Sequence, residues 1–296
     1  MKIFRSPRVA LIGFTGNLGQ IVHSRLLDEG VEVQLIGRKG NNLADGWLIP
    51  FEGIETINDL TPEVIINLSN FYSPNPQGPD YEKMKDSIVG VASAIAKYNQ
   101  SHAISVISAS TYFQYCPKEM SPWSTYAQLK SDAQNLLISE SDKLGVKFTD
   151  YVLYDNYGGS RRDKFLDIAL QALFSEKPIP ATNGEQIVNL THIEDIASAI
   201  VSETHKNRVK AENDVRIFQL QSSETYSLKG LSLFISEVTS IEPNIAWGSL
   251  PYREKEIFQS WDTGLKNPAS WIPKHALRDY IKLTCDLLKK EKKGSQ

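Results

Sequence analysis

A tyrosine and a lysine stand four residues apart in YAQLK, sixteen and twenty residues after Ser110. Residues at positions i and i+4 project from one helix face, so the Tyr126 phenol and the Lys130 ammonium can meet. A neighbouring cation favours the phenolate and should lower the pKa of Tyr126 from about 10 towards neutrality. Tyr126 could then exchange a proton with a carbinol or a carbonyl. The Y-x-x-x-K spacing also occurs by chance on surface helices, so its weight depends on the rest of the chain.

Three glycines follow the first apolar run, VALIGF: they are Gly13, Gly16 and Gly19 in GFTGNLG. A strand, a glycine turn and a helix in this order are what a dinucleotide site requires. Gly13 permits the tight turn, Gly16 lets the backbone approach a pyrophosphate, and Gly19 lets the helix pack on the strand. The N–H groups at the start of the helix attract the phosphates. The pattern predicts a nicotinamide dinucleotide site, with glycines that serve packing alone as the alternative.

The residues after the second strand bear on the choice of cofactor. An acidic side chain there would bind the ribose 2′-hydroxyl of NAD, but the chain reads Ile36-Gly37-Arg38-Lys39. Arg38, together with Lys39, suits the 2′-phosphate of NADP. We therefore favour NADPH (NADP) over NAD, with a solvated basic turn as the alternative.

Alternating strand and helix patterns position these motifs. Apolar runs predict strands at VALIGF, VEVQLIG, VIINLSN, AISVISAS and FTDYVLY, and amphipathic stretches near 82–98 and 125–144 predict helices. Repeated strand–helix–strand order predicts an α/β fold, a Rossmann-type doubly wound parallel sheet with helices on both faces. The less regular C-terminal part predicts a smaller substrate-binding lobe.

Composition excludes several classes of protein. The chain has 296 residues, 41% of them hydrophobic, and a net charge of −3, which argues against a nucleic-acid binder. No apolar stretch approaches the roughly 20 residues of a membrane span, and the first apolar run is too short for a secretory signal. Cys116 and Cys285 are far apart and outside any C-x-x-C pattern, so we expect no disulfide, no metal site and a cytoplasmic location.

The ordered set of motifs resembles the extended short-chain dehydrogenase/reductases, the NAD-dependent epimerase/dehydratase family. The motifs are GFTGNLG, Ser110 in ISAST, and YAQLK. YDNYG (154–158) and NGEQIVNLTHIEDIASAI (183–200) resemble two later family landmarks, with His192 and Asp195 at the usual positions. Within the family, DNYGGSRRDKFLD, the GEQ segment and FQSW resemble the nucleotide-sugar 4-ketoreductases, which include CDP-abequose and CDP-paratose synthases and dTDP-fucose-forming reductases.

The resemblance implies site residues. The implied catalytic residues are Ser110, Tyr126 and Lys130. Asn156 would contact the pyrophosphate region of the substrate and Arg253 would clamp its diphosphate. Val188 and Asn189 stand where many epimerases carry an arginine, and the candidates to replace it are Arg161, Arg162 and Lys164. The implied cofactor contacts are Gly13, Thr15, Gly16, Asn17, Leu18, Gly19, Arg38, Lys39, Ser69, Tyr126, Lys130 and Tyr154, and the implied substrate contacts are Ser110, Thr111, Asn156, Arg162, Lys164 and Arg253.

The resemblance also implies a reaction: NADPH-dependent reduction of the C4 keto group of a CDP- or dTDP-linked 4-keto-6-deoxyhexose, in deoxysugar and lipopolysaccharide (O-antigen) precursor biosynthesis. Ser110 and Tyr126 would bind the carbonyl oxygen, and Tyr126 would protonate it. Thr111-Tyr112 replaces the Asp-Glu pair of the dehydratases, and Tyr112 stands where the GDP-fucose-forming enzymes carry a cysteine. An NAD-dependent 4-epimerase, which shares the three catalytic residues, is the alternative. A non-catalytic NADP-binding sensor or scaffold is the second alternative.

The resemblance assigns domains and an oligomeric state. Residues 1–159, with a returning segment near 190–220, should form the NADP-binding domain, and residues 160–189 and 221–296 the nucleotide-sugar-binding lobe. The helices near 82–98 and 125–144 form a dimer seam in this family, so we expect a homodimer. The expected partner is the nucleotide-diphosphate sugar substrate, without nucleic acid or membrane.

Overall fold

The computed structural model describes residues 7–37, 48–50, 61–74, 76–98, 105–206 and 214–294. The chain divides into two compact units. The first comprises Met1–Leu153, Ile196–Leu220 and Trp261–Trp271, and the second comprises the remaining segments. The boundaries differ from the predicted ones, because residues 154–159 and 190–195 fall in the second unit and residues 261–271 in the first.

Helices and strands alternate along the first half of the chain and mix less regularly in the second. In chain order they are β1 (Arg8–Ile12), α1 (Asn17–Asp28), β2 (Glu32–Gly37), β3 (Leu48–Pro50), β4 (Val64–Asn67), α2 (Pro79–Lys85), a π-helical turn (Asp86–Gly90), α3 (Val91–Tyr98), β5 (Ser105–Thr111), two 3₁₀ turns (Tyr112–Tyr115 and Lys118–Met120), α4 (Thr125–Leu144), β6 (Lys147–Leu153), β7 (Asp155–Tyr157), α5 (Phe165–Ala172), β8 (Ile179–Pro180), β9 (Ile187–His192), α6 (Ile193–Thr204), β10 (Val215–Leu220), β11 (Thr225–Ser227), α7 (Leu228–Thr239), β12 (Ile245–Ala246) and α8 (Leu277–Gly294).

The first unit is built on a seven-stranded sheet in the order β10-β6-β5-β4-β1-β2-β3. Every neighbouring pair in it runs parallel. The order reverses direction at β1, which lies between β4 and β2, so the carboxyl ends of β1 and β4 form the crevice where such sheets bind ligands. This confirms the predicted Rossmann-type α/β fold.

Strand β1 shows why both faces of the sheet are covered by helices. Val9 and Leu11 belong to one buried cluster, which includes Val22 and Leu26 of α1. Ala10 and Ile12 point the other way, into a second cluster formed with α3 and α4. A strand that is buried on both faces must be apolar at every position, which is why the sequence reads as a continuous apolar run.

The second unit has its own small sheets and core. Strands β11, β9 and β7 form a three-stranded sheet, and β12 pairs with β8. A buried cluster that includes Leu166 of α5, Leu231 of α7 and Ile281 of α8 holds these elements together. Among the helices of the described part of the chain, none combines the length and the apolar character needed to cross a bilayer.

Candidate active site

The glycine turn after β1 is sterically closed to side chains. Gly13 has φ +86°, and a Cβ atom there would lie 2.5 Å from the carbonyl carbon and oxygen of Leu68. A Cβ atom at Gly19 would lie 2.2 Å from the Gly13 carbonyl oxygen, so helix α1 packs directly on the turn. These two contacts account for the predicted roles of both glycines.

The start of helix α1 suits an anion. Its N-cap is Gly16, which contributes no side-chain cap, and its first turn carries no acidic residue. Thr15 and Gly16 are exposed, whereas Leu18 packs against the core. The N–H groups and the positive end of the helix dipole attract phosphate at such a terminus. The turn and the start of α1, including Asn17, therefore fit a dinucleotide pyrophosphate.

The rest of the predicted cofactor surface is seen only in part. Arg38 and Lys39, on which the preference for NADPH rests, lie outside the described residues. Ser69, just after β4, is buried, and its hydroxyl donates to Asn67 Oδ1 at 2.6 Å.

Three polar residues lie along one face of helix α4. Ser124 caps the helix by accepting from the Ala127 N–H at 3.2 Å, which places Tyr126 in the first turn. Tyr126, Lys130 and Gln134 then follow at i, i+4 and i+8, on the same face. Lys130 Nζ donates to the Ala109 carbonyl oxygen at 3.1 Å, and this bond ties the helix to strand β5.

Ser110 is hydrogen-bonded to a carboxylate that the sequence analysis did not single out. Its hydroxyl donates to Asp150 Oδ2, and the Ser108 hydroxyl donates to the other carboxylate oxygen. Gln134 Nε2 also donates to Asp150 Oδ2, at 2.7 Å. Asp150 lies on β6, directly opposite Ser108, and is completely buried.

The polar groups of this region line a small cavity. It is bounded by polar residues of β4, β5, β6 and α4, with four small or apolar side chains between them. Three predicted site residues, Ser69, Ser110 and Lys130, therefore line one cavity. The complete lining is Asn67, Ser69, Ile88, Ser108, Ala109, Ser110, Lys130, Ala133, Gln134, Leu137 and Asp150.

The predicted lowering of the Tyr126 pKa is wrong for this structure. Burial raises the pKa of Tyr126 to about 12; the Asn70 side chain opposes that rise through a hydrogen bond, and Tyr72 adds to it. The Tyr72 ring packs edge-on against the Tyr126 ring, with centroids 5.2 Å apart. Desolvation of the phenolate outweighs the favourable contacts, so Tyr126 is a protonated phenol at neutral pH.

The pKa of Lys130 is shifted in the opposite direction. Burial lowers the pKa of Lys130 to about 8, and the negative charge of Asp150 opposes that lowering. The ammonium thus loses its proton close to the physiological range, and Asp150 favours the charged form.

The predicted substrate residues are divided between the two units. In the first unit, Thr111 caps the 3₁₀ turn after β5 by accepting from the Phe113 N–H. In the second unit, Asn156 lies on β7 opposite Thr191, and Arg162 donates to the Gly159 carbonyl oxygen at 2.8 Å. The structure additionally places Tyr154 in the core, Lys164 at the N-cap of α5, Arg253 on an exposed loop, and Arg161 in an exposed ion pair with Asp163.

The second unit also contains a pair of histidines, and one of them, His192, belongs to the predicted family landmark (183–200). The rings of His192 and His275 stack with centroids 4.3 Å apart. Asp195 accepts from His275 Nδ1 at 2.8 Å and from the backbone N–H groups of Lys274 and His275. Burial acts to raise the pKa of Asp195, but these hydrogen bonds outweigh it and lower the pKa. The landmark thus organises the start of α6.

A match to a protein family decides the class of the protein. Residues 9–218 match the NAD dependent epimerase/dehydratase family, which is most of the chain. The chain belongs to this family. It is therefore an NAD(P)-dependent enzyme of the oxidoreductase type, as the sequence analysis predicted.

Individual relatives agree with the family. CDP-abequose synthase of Yersinia pseudotuberculosis is 25% identical over 264 residues, which cover 84% of this chain and 90% of the relative. A solved structure of UDP-glucose 4-epimerase from Thermotoga maritima with UDP-glucose is 17% identical, with a TM-score of 0.76, and the match covers 96% of this chain and 99% of that one. MoeE5, solved with UDP-glucuronic acid and NAD, is 18% identical, with a TM-score of 0.74 and the same coverage. At these identities the two structures show a shared fold.

Sequence reasoning missed three contributors to this family site. Asp150 is the only acidic residue in the strand run FTDYVLY, and that isolated charge was the available signal. Asn70 and Tyr72 follow β4 and set the surroundings of Tyr126. Their role could not be read from spacing, because it depends on how the loop after β4 meets helix α4.

Proposed function

We propose that this protein uses NADPH to reduce the C4 keto group of a nucleotide-diphospho-4-keto-6-deoxyhexose. A nucleotide sugar as substrate is supported by the family, by the resemblance to CDP-abequose synthase, and by structural neighbours solved with UDP-sugars. Reduction at C4 rests on the residues of the site. The nucleotide of the substrate is CDP or dTDP in this proposal.

The burial of the Tyr126 phenol, with the Tyr72 ring packed edge-on against it, is the observation that supports the direction of the reaction. A phenol whose pKa is about 12 holds its proton at neutral pH. An alkoxide, with a conjugate-acid pKa near the 15.7 of water, takes that proton readily. Oxidation of a carbinol would instead need the phenolate as a base, and burial disfavours the phenolate. Tyr126 is therefore better suited as the acid of a ketone reduction.

The other residues support this acid. Lys130 places a positive charge on the same helix face, which stabilises negative charge as it develops on oxygen. Serine has a single O–H donor, and the Ser110 hydroxyl donates it to Asp150. Tyr126 is thus the proton donor to the carbonyl oxygen. The hydrogen bond from Ser110 to that oxygen, which the sequence analysis expected, is replaced by the bond to Asp150.

The glycine turn and Arg38 hold the cofactor in this proposal. NADPH supplies the hydride when it is bound. The start of α1 binds its pyrophosphate, and Arg38, with Lys39, recognises its 2′-phosphate. Asn156, Arg162, Lys164 and Arg253 are proposed to bind the diphosphate of the substrate. A homodimer in the cytoplasm completes the proposal, and light scattering of the purified protein tests the dimer.

An NAD-dependent 4-epimerase is the second candidate. The observation in its favour is that solved structures of similar fold are 4-epimerases, one of them with UDP-glucose. Such an enzyme would purify with bound NAD and would interconvert UDP-sugars without net consumption of cofactor.

The test offers the purified protein CDP- and dTDP-linked 4-keto-6-deoxyglucose with NADPH or NADH, and follows absorbance at 340 nm. We expect oxidation of NADPH with one of the two substrates. Tyr126→Phe should lower turnover by about 10² to 10⁴-fold and leave NADPH affinity unchanged. Tyr98→Phe is the matched control: Tyr98 is the buried last residue of α3, it does not line the cavity, and the variant should keep its activity. No oxidation with either substrate, or full activity in Tyr126→Phe, would refute the proposal.

A further inference from the structure

The buried carboxylate of Asp150 lines the same cavity as two predicted catalytic residues, Ser110 and Lys130. Asp150 is completely buried, and its neighbours on the same face of β6, Phe148 and Val152, are completely buried and apolar. Asp150 therefore places a carboxylate where the strand otherwise has apolar side chains. It accepts hydrogen bonds from Ser108, Ser110 and Gln134. An ionised carboxylate in such a place is costly unless hydrogen bonds and an opposite charge stabilise it. The structure supplies both, and each comes from the catalytic region.

We propose that Asp150 is a positioning residue of the active site, which fixes the Ser110 hydroxyl and supplies the counter-charge of Lys130. This inference rests on the proposed function, because it assigns Asp150 a part in the same reaction. Asp150 acts through Ser110 and Lys130 and does not itself touch the substrate.

The first part of the role concerns the direction of one proton. Asp150 takes the only proton that Ser110 can donate, so the Ser110 oxygen faces the site as an acceptor. Asparagine at position 150 would present one carbonyl oxygen and one NH₂ donor in place of two acceptors. Ser108, Ser110 and Gln134 could not all donate to it, and the Ser110 hydroxyl would lose its fixed orientation.

The second part of the role is electrostatic. Among the described residues that line the cavity beside Lys130, the ionisable one is Asp150 from β6, and its charge acts on the Lys130 ammonium. Tyr126 precedes Lys130 by one turn on the same helix. The residues that β4, β5 and the π-helical turn contribute to the cavity carry no charge; they are Asn67, Ser69, Ser108, Ala109, Ser110 and Ile88. Asp150 is therefore the counter-charge of Lys130, and burial alone would favour the neutral amine.

The sign of the effect follows from these contacts. Burial already lowers the pKa of Lys130 to about 8, and Asp150 limits that lowering. Removing the charge of Asp150 should lower the Lys130 pKa further. The ammonium would then be lost at a lower pH, and reduction would fall off at a lower pH than in the wild type.

The experiment compares Asp150→Asn with wild type in two readouts. The first is the pH dependence of turnover with NADPH and the 4-keto sugar nucleotide. The second is the pH dependence of acetic anhydride labelling at Lys130, measured by peptide mass spectrometry, which needs no substrate. We expect turnover to fall between about 10- and 100-fold. We also expect both the turnover limb and the Lys130 labelling midpoint to move down by on the order of 1 pH unit.

Two control variants separate this role from a purely structural one. Glu203→Gln removes another buried carboxylate of the first unit, which accepts from Arg216 at 2.7 Å. It should reduce stability and leave both pH profiles unchanged. Ser108→Ala removes one donor but keeps the charge of Asp150, so the Lys130 midpoint should stay at its wild-type value.

The outcomes distinguish the possibilities. Unchanged pH profiles and an unchanged Lys130 midpoint in Asp150→Asn would overturn the proposal, even if turnover fell. If the variant does not fold, the wild-type protein still provides a test: the carboxyl ¹³C resonance of Asp150 should move as Lys130 titrates near pH 8, and a resonance that stays fixed would contradict the pairing. Failure of wild-type reduction would refute the proposed function, while the labelling would still decide the pairing.

Discussion

Replacing Gly16 with alanine should weaken cofactor binding without unfolding the protein. Gly16 has φ −75° and ψ 159°, a conformation that alanine adopts without strain. The added Cβ atom would lie 3.3 Å from the Gly13 carbonyl oxygen, a tight contact that a small shift relieves. At the helix N-cap, however, the methyl group would crowd the approach of the pyrophosphate. We expect stability to fall by less than about 1 kcal/mol and NADPH affinity by at least tenfold, or about 1.4 kcal/mol.

The stability costs of alanine at two other glycines provide comparisons for Gly16→Ala. Gly30 has φ +68° with no atom within 4 Å of an added Cβ, so Gly30→Ala should cost only the left-handed conformation, about 1–2 kcal/mol. Gly13 has φ +86°, and its added Cβ would meet the backbone of Leu68 at 2.5 Å. Gly13→Ala should therefore cost the same strain plus an overlap of about 1–3 kcal/mol, roughly 2–5 kcal/mol together.

The assays are urea unfolding for stability and fluorescence titration for NADPH affinity. We expect the two variants to differ: Gly16→Ala should lose NADPH affinity, and Gly30→Ala should lose only stability. Wild-type NADPH affinity in a folded Gly16→Ala protein would refute the assignment of the turn to the pyrophosphate. A Gly13→Ala protein as stable as Gly30→Ala would refute the steric argument.

Three further predictions concern charge. Turnover should fall as the pH rises through about 8, because Lys130 then loses its proton; Lys130→Arg should move that fall to higher pH, and a flat wild-type profile from about pH 7 to pH 9 would contradict the role of Lys130. Arg38→Ala should reduce the preference for NADPH over NADH by about tenfold or more in kcat/KM, and an unchanged preference would remove Arg38 from the 2′-phosphate site. Asp195→Asn should lower stability by about 1–3 kcal/mol in urea unfolding at neutral pH. Because the pKa of Asp195 is lowered in the folded protein, this difference should shrink as the pH falls below the usual carboxyl range, and a difference independent of pH would contradict it.

The fold was readable from the sequence because its signals are local. VALIGF must be buried on both faces, and the steric closure at Gly13 and Gly19 needs residues without a side chain at these spacings. The Tyr126–Lys130 spacing places both residues on one face of α4 regardless of tertiary structure. Patterns of this kind carry the secondary structure and the order of the motifs.

The ionisation of the site could not be read in the same way. Spacing suggested that Lys130 would lower the Tyr126 pKa, yet burial of Tyr126 among residues of the loop after β4 dominates. Asp150 meets Ser108 and Ser110 only through the register between β5 and β6, which the sequence does not specify. Segment 261–271 likewise belongs to the first unit through long-range packing, with Trp271 in the core beside Ile200 and Leu220.

Transfer of deuterium from cofactor to sugar is the measurement that tests the proposed reduction most directly. NADPH carrying deuterium at both C4 positions of the nicotinamide would be incubated with the CDP- and dTDP-linked 4-keto-6-deoxyhexose, and the product analysed by NMR. We expect one deuterium at C4 of the sugar for each NADPH oxidised, and labelled product to form about 10² to 10⁴-fold more slowly with Tyr126→Phe. A product without deuterium, or a change at C4 with no NADPH oxidised, would contradict it.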